Sequence, residues 1–202
     1  MSNVRNRYLP SLYGVGYLGE ATVMDGCGRL SKEYVIWSKM LERCYCSKYL
    51  ARKPTYDGCT VSDNFKNFTF FKNWCNKQVG FGEKYFSLDK DILLKGNKLY
   101  SEDTCAFIPR ELNNLLTLRK ASRGNLPIGV TPSRSNILKY TAKVTIFGKG
   151  VVLGDFNTPT EAFYAYKVAK EEHIKCLAKS YEKILDARVV NALINYEVSI
   201  ED

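Results

Sequence analysis

The chain has 202 residues, and its share of hydrophobic (45%) and charged (25%) residues is that of a globular protein. Its 14 tyrosines and 10 phenylalanines argue against a disordered basic tail. This length allows one large or two small domains, each with its own core. A net charge of +9 favours a polyanionic partner, with nucleic acid first and an anionic membrane surface second.

Two helices are predicted in the first third of the chain. Residues 1–30 are rich in glycine and tyrosine and predict a loop or a short hairpin. Ser31 is the expected N-cap of a helix over residues 31–45, in which apolar side chains recur at helical spacing. A short strand at 58–61 precedes a second helix over 63–78, whose aromatic side chains we expect in the core.

The seven cysteines predict reduced thiols and not a disulfide framework. Their number is odd, and the N-terminal residues lack a signal-peptide core, so we expect a cytoplasmic protein. One CxC pair, Cys44 and Cys46, occurs without any CxxC pair, whereas structural zinc sites usually show paired CxxC-type spacings. Buried thiols are therefore favoured over a zinc site.

Residues 86–116 carry the pattern with the most chemical content. A strand over 87–93, a turn at 95–98, an extended segment over 99–109 and a helix over 110–117 are expected. Asp89 and Asp91 lie at the end of the first strand, and asparagines lie in the helix. This is the outline of a ββα-metal nuclease site, in which oxygen and nitrogen ligands hold Mg²⁺ beside a general base.

Residues 127–166 predict a three-stranded antiparallel sheet followed by a long helix. Apolar and polar side chains alternate over 138–147, Gly148 to Gly150 is a turn signal, and 151–153 returns as a strand. Thr158, Pro159 and Glu161 form the capping box of a helix. Its apolar stripe, expected to cover one face of the sheet, consists of Phe163, Tyr166, Ile174, Leu177, Tyr181 and Ile184.

The opposite face of that sheet is predicted to be basic. No Asp or Glu occurs between Leu112 and Gly154, while lysines and arginines are frequent there. Such a face is a plausible DNA-contacting surface, and the alternative is an ordinary solvated sheet. The candidate DNA contacts are Arg119, Lys120, Arg123, Arg134, Lys139, Thr141, Lys143 and Lys149.

The same region resembles the AP2 DNA-binding domain over residues 127–180. The shared elements are Ile128-Gly129-Val130, Lys139-Tyr140-Thr141-Ala142-Lys143-Val144, Leu153-Gly154-Asp155-Phe156-Asn157-Thr158, Glu161-Ala162 and Ala165-Tyr166. The family tryptophan of the second element is Tyr140 here, and the arginine-rich first strand of plant members is reduced to Arg134. The resemblance implies that the sheet enters the DNA major groove and that one helix packs behind it.

Residues 31–118 resemble the HNH-like endonucleases of phages and mobile elements, which often carry AP2-type domains. The shared elements are Trp37, Met40-Leu41-x-Arg43-Cys44-Tyr45, Tyr56-x-Gly58-Cys59-x-Val61, Phe68-x-x-Phe71, Trp74, Leu88-Asp89-Lys90-Asp91, Gly96-Asn97, Tyr100-Ser101 and Cys105. The resemblance implies a phage-encoded protein that acts in the host cytoplasm.

The resemblance to HNH-like endonucleases implies a magnesium site, but this chain lacks the histidine that usually acts as the general base. Asp89, with Asn113 or Asn114, is the implied set of metal ligands, and Asp89, Lys90, Asp91 and Asn113 are the candidate catalytic residues. The family histidine is replaced by Lys90, and a protonated lysine is a poor base unless it is strongly desolvated.

Taken together, the patterns and resemblances predict an α+β protein with an N-terminal helical region containing the ββα unit and an AP2-like sheet packed on a helix. The expected segments are 1–120, a linker at 121–126, the AP2-like domain at 127–185 and an amphipathic tail at 186–202. The expected function is double-stranded DNA binding with a degenerate HNH-like module and no membrane contact. The alternatives are an active Mg²⁺-dependent homing-type endonuclease and a basic scaffold for RNA or protein.

Overall fold

A computed structural model describes residues 6–116, 125–134, 137 and 139–202. Within these residues the protein is α+β, with seven α-helices and three small sheets. The chain divides into two compact units, which comprise residues 1–110 with 184–189, and residues 111–183 with 190–202. No helix in the described part of the chain is long and apolar enough to cross a membrane.

Four helices build most of the first unit. They are α1 (Lys32–Tyr45), α2 (Ser47–Arg52), α3 (Asp63–Lys66) and α4 (Phe68–Cys75), with a 3₁₀ turn at Pro54–Tyr56. The predicted cap of α1 is confirmed, because the Ser31 side chain accepts a hydrogen bond from the Tyr34 amide. The second predicted helix is broken at Asn67, which is extended and caps α4 by accepting from the Thr69 amide.

Two pairs of short strands complete this unit. β1 (Thr60–Val61) pairs in parallel with β3 (Leu99–Tyr100), and β2 (Phe86–Asp89) pairs antiparallel with β4 (Ala106–Pro109). The predicted strand over 87–93 is therefore too long, and the extended segment over 99–109 is two strands separated by a turn. The aromatic residues of α3 and α4 lie in the core as expected, together with residues of α1, and the largest buried side chains are Trp37, Met40, Leu41, Phe65, Phe68 and Phe71.

The cysteines divide into buried and exposed groups. Cys44, Cys59, Cys75 and Cys105 are buried in the first unit, as expected for thiols that act as small hydrophobic groups. Burial raises the pKa of the Cys44 and Cys105 thiols to about 12. Cys27 is exposed, so the expectation of burial is wrong for this residue, and Cys176 of the second unit is also exposed.

The second unit contains the predicted three-stranded antiparallel sheet and the long helix. β5 (Val130–Pro132), β6 (Tyr140–Ile146) and β7 (Lys149–Phe156) lie in that order, and α6 (Pro159–Tyr181) packs on one face. α5 (Arg110–Leu116), after its first residue, belongs to the same unit, and α7 (Ala187–Ile194) spans the division at residue 189.

The packing of α6 follows from its sequence. Its capping box is present, with the Thr158 hydroxyl accepting from the Glu161 amide and the Glu161 carboxylate accepting from the Thr158 amide. Phe163, Tyr166, Ile174 and Leu177 are buried, as the apolar stripe predicts. The stripe stops short of Ile184, which lies beyond the end of α6 and is exposed.

A β-bulge changes the alternation of side chains along β7. Ala142 pairs with Gly154 and Lys143 pairs with Val152, so Leu153 is the extra residue. Leu153 packs against the core with Phe156, whereas Val152 is 62% exposed. The bulge therefore places Val152 and Asp155 on the side of the sheet that α6 does not cover.

Candidate nucleic-acid interface and the Asp89 turn

The three-stranded sheet has one face that is not covered by α6, which we call the outer face. It consists of side chains that alternate with the buried Val130, Ala142 and Val144, namely Thr131, Thr141, Lys143, Thr145, Val152 and Asp155. Thr131, Thr141 and Asp155 form one cross-strand row, and Lys143 with Val152 forms the next. Apart from Thr141, these residues are exposed.

Several of the predicted DNA contacts lie on or beside this face. Lys143 is on it, Lys149 is exposed at the β6–β7 turn, and Arg134 is exposed just after β5. Lys139 is half-buried and immediately precedes β6. The other predicted cations, Arg119, Lys120 and Arg123, lie outside the described residues, so the predicted cations that the structure describes are Arg134, Lys139, Lys143 and Lys149.

Asp155 is the residue of this face that sequence reasoning missed. Its carboxylate accepts a hydrogen bond from the Thr141 hydroxyl at 2.6 Å and another from the Ser133 hydroxyl at 3.1 Å. Thr141, predicted to contact DNA, is buried, and its hydroxyl is engaged with Asp155. The available signal was that Asp155 is the first acid after Leu112, but its placement depends on the bulge.

Asp89 ends β2 and stabilises the turn that follows. Its Oδ1 accepts hydrogen bonds from the backbone amides of Asp91 (2.9 Å) and Ile92 (2.7 Å). Burial raises the pKa of the Asp89 carboxyl, and the neighbouring Asp91 carboxylate raises it further, although the two amides act in the opposite direction. The carboxylate proposed as a metal ligand thus has a local structural role.

Lys90, at the position of the family histidine, is buried with its charge paired. Its Nζ donates to the Asp91 carboxylate and to the Asn97 carbonyl at 2.5 Å. The Asn97 side chain in turn donates to the carbonyls of Lys90 and Leu99. An ammonium held by two acceptors donates hydrogen bonds to them and is not placed to accept a proton as a base would.

Tyr100 lies beside Lys90 and could act as a base only as a phenolate. The Lys90 Nζ is 5.8 Å from the centre of the Tyr100 ring, and Tyr100 is buried. Burial raises the pKa of Tyr100 well above its ordinary value, even though Arg43 favours the phenolate. Near neutral pH Tyr100 is therefore a neutral phenol and not a base.

The predicted helix ligands occur in the second unit. Asn113 is half-buried and Asn114 is exposed, both on α5, while Asp89, Lys90 and Asp91 belong to the first unit. The described residues include no group of three or more His, Cys, Asp or Glu that could hold a metal ion. Binding of Mg²⁺ by Asp89 with Asn113 or Asn114 stays a prediction.

Known proteins give no further guide to this chain. Comparisons with protein-family models, curated proteins and solved structures found no match.

The single histidine supports the hairpin between β6 and β7. His173 on α6 is buried, and its Nε2 accepts a hydrogen bond from the Phe147 amide at 3.3 Å. The imidazole ring of His173 and the phenyl ring of Phe147 also meet edge to face, with 4.8 Å between their centres. Burial lowers the pKa of His173, and Lys170 lowers it further, so the imidazole is neutral in the folded protein near pH 7.

Proposed function

We propose that this chain is a double-stranded DNA-binding protein whose second unit contacts DNA through the outer face of its sheet. The observation that carries the proposal is a sheet face not covered by α6, with an exposed lysine on it and further cations near its ends. Lys143 lies on that face, with Arg134 and Lys149 exposed at its margins. Lysine and arginine bind phosphates without regard to sequence and supply most of the affinity of such an interface.

The side chains of the outer face offer groups that could contact bases in the DNA major groove. That groove admits an α-helix or a two-stranded β-ribbon, and its floor presents hydrogen-bonding groups and the methyl group of thymine. The outer face offers the hydroxyls of Thr131 and Thr145 and the apolar side chain of Val152, all exposed. The cations suit contact with phosphates, and the short uncharged side chains suit contact with base edges.

For the first unit we propose an HNH-like module without its usual base. The paired ammonium of Lys90 and the turn-stabilising carboxylate of Asp89 support a structural role for these residues. Mg²⁺-dependent hydrolysis remains the alternative, and a plasmid-nicking assay with and without Mg²⁺ tests it. Cleavage that Asp89→Ala abolishes while DNA binding survives would favour the nuclease.

The DNA-binding proposal is tested by removing charge on and beside the outer face. The variant R134A/K139A/K143A should bind a mixed-sequence duplex more weakly than wild type. Because each phosphate contact contributes about 0.9 to the slope of log affinity against log salt concentration, that slope should become shallower by up to about 2.7 units. Titrations of a labelled duplex at several salt concentrations measure both quantities.

A matched variant separates position from net charge. Lys175, Lys179 and Lys183 are exposed on α6 or just after it, so K175A/K179A/K183A removes the same charge away from the sheet. We expect this control to keep nearly all of the slope. If R134A/K139A/K143A stays folded by circular dichroism and keeps the affinity and slope of wild type, the DNA surface is not on this face. Tighter binding of RNA than of duplex DNA would favour the scaffold alternative.

A further inference from the structure

Asp155 is an acid on an otherwise basic or uncharged surface. It is the one acidic residue in the three strands of the sheet, and it is exposed on the outer face. Its register partner on β6 is Thr141, whose hydroxyl donates to Oδ1 at 2.6 Å, and the Ser133 hydroxyl donates to Oδ2 at 3.1 Å. Two hydroxyl donors from two parts of the chain therefore fix the orientation of this carboxylate.

A carboxylate at a DNA interface is repelled by phosphates even when the protein's own hydroxyls donate to it, so it weakens binding unless a donor of the DNA also faces it. In the major groove, donors are the amino groups of cytosine and adenine. Adenine presents its N7 acceptor beside N6, which repels a second acceptor, whereas cytosine presents N4 without a neighbouring acceptor of its own. The chemistry of a fixed carboxylate therefore matches cytosine best.

We propose that Asp155 is a specificity-determining residue that accepts a hydrogen bond from the N4 amino group of a cytosine in the major groove. The proposal rests on the proposed function of the outer face and adds to it a preference at one base pair. In this arrangement Lys143 and the neighbouring cations supply affinity for phosphates, while Asp155 penalises sites that lack the donor.

The same two hydrogen bonds could instead serve only to tie the segment after β5 to β7. A purely structural tie affects stability without affecting which base is chosen. Asp155→Asn separates the two roles because the amide oxygen still accepts from Thr141, and the Ser133 hydroxyl can rotate to accept from the amide nitrogen. An asparagine also pairs with N6 and N7 of adenine, so a change in base preference is the expected signature.

The experiment selects binding sites for the full chain from a library of randomised duplexes and then measures affinities for single-base variants of the preferred site. Wild type should prefer cytosine at one position by at least about fivefold over the other bases. Asp155→Asn should move that preference to adenine and leave the other positions unchanged. Asp155→Ala should bind non-specific duplexes more tightly and show no preference at that position.

Glu172→Gln is the control, since it makes the same charge change at an exposed position of α6 and should keep the cytosine preference. Wild type that binds duplex DNA without a cytosine position overturns the inference, whatever the variants do. A folded Asp155→Asn variant with unchanged base preference also overturns it and leaves a structural tie. Wild type that binds no duplex at any salt concentration removes the proposed function itself, which is a different result.

Discussion

Gly129 lies where β5 approaches α6, and its replacement by alanine is the sharpest test of that packing. Its φ is +77°, and a Cβ at this position would lie 2.1 Å from Cδ2 and 2.3 Å from Cγ of Tyr166. Tyr166 is buried on α6 and its ring cannot yield without moving its neighbours. We therefore expect Gly129→Ala to displace β5 from the helix and to destabilise the second unit.

The loss of stability that we expect from Gly129→Ala has two parts. A left-handed backbone costs a non-glycine residue about 1–2 kcal/mol. Forcing extra volume into a packed core adds about 1–3 kcal/mol, which gives about 2–5 kcal/mol in total. Gly148, with φ +75° and no atom within 4 Å of the position that an alanine methyl group would take, carries only the first part. Gly148→Ala is thus the matched control and should cost about 1–2 kcal/mol.

The assay must report on the second unit alone. Both tryptophans, Trp37 and Trp74, lie in the first unit, so tryptophan fluorescence is unsuitable. Native-state hydrogen exchange of the β6 amides measures the free energy of opening of the sheet directly. Equal losses in the two alanine variants would refute the close approach of Gly129 to Tyr166.

Two further predictions concern the same unit. Phe163→Ala should lower its stability by about 3–5 kcal/mol, because the side chain is only 2% exposed; a variant with wild-type stability but lost DNA binding would instead make α6 the contacting element. The depressed pKa of His173 predicts stability that is present above about pH 6.5 and is lost as the pH falls through the lower folded pKa, since the unfolded chain takes up the proton first. His173→Gln should flatten this loss in exchange measurements between about pH 7.5 and 5, on either side of the ordinary histidine pKa, and an unchanged pH profile would contradict the assignment.

The parts of the fold that depend on local signals could be predicted from the sequence. The cap at Ser31, the capping box at Thr158 and the alternation along β6 each involve residues within a few positions of one another. The break at Asn67 was missed because one side chain, by capping α4, competes with an otherwise continuous helical pattern. The end of β2 at Asp89 has a similar cause, since the carboxylate binds the amides of the following turn.

The pairing of strands that lie far apart in the chain could not be predicted from the sequence. β1 and β3 are two-residue strands that lie far apart in the chain, and nothing in their patterns indicates a parallel pair. The exposure of Lys143 on the outer face was predictable, but its acid was not, because the position of Asp155 depends on the extra residue in β7. A shift by one residue exchanges the two faces of a strand, so a bulge must be known before side chains can be placed.

The distribution of buried and exposed thiols also allows a label to be attached to each of the two units. Thiolates are the reactive species, so the buried, high-pKa Cys44 and Cys105 should resist alkylation near neutral pH, while Cys27 and Cys176 are exposed. One of these exposed thiols belongs to each unit. With the half-buried Cys46 changed to serine, a donor and an acceptor fluorophore attached to Cys27 and Cys176 would report, by energy transfer, any change in the distance between the units when DNA is added.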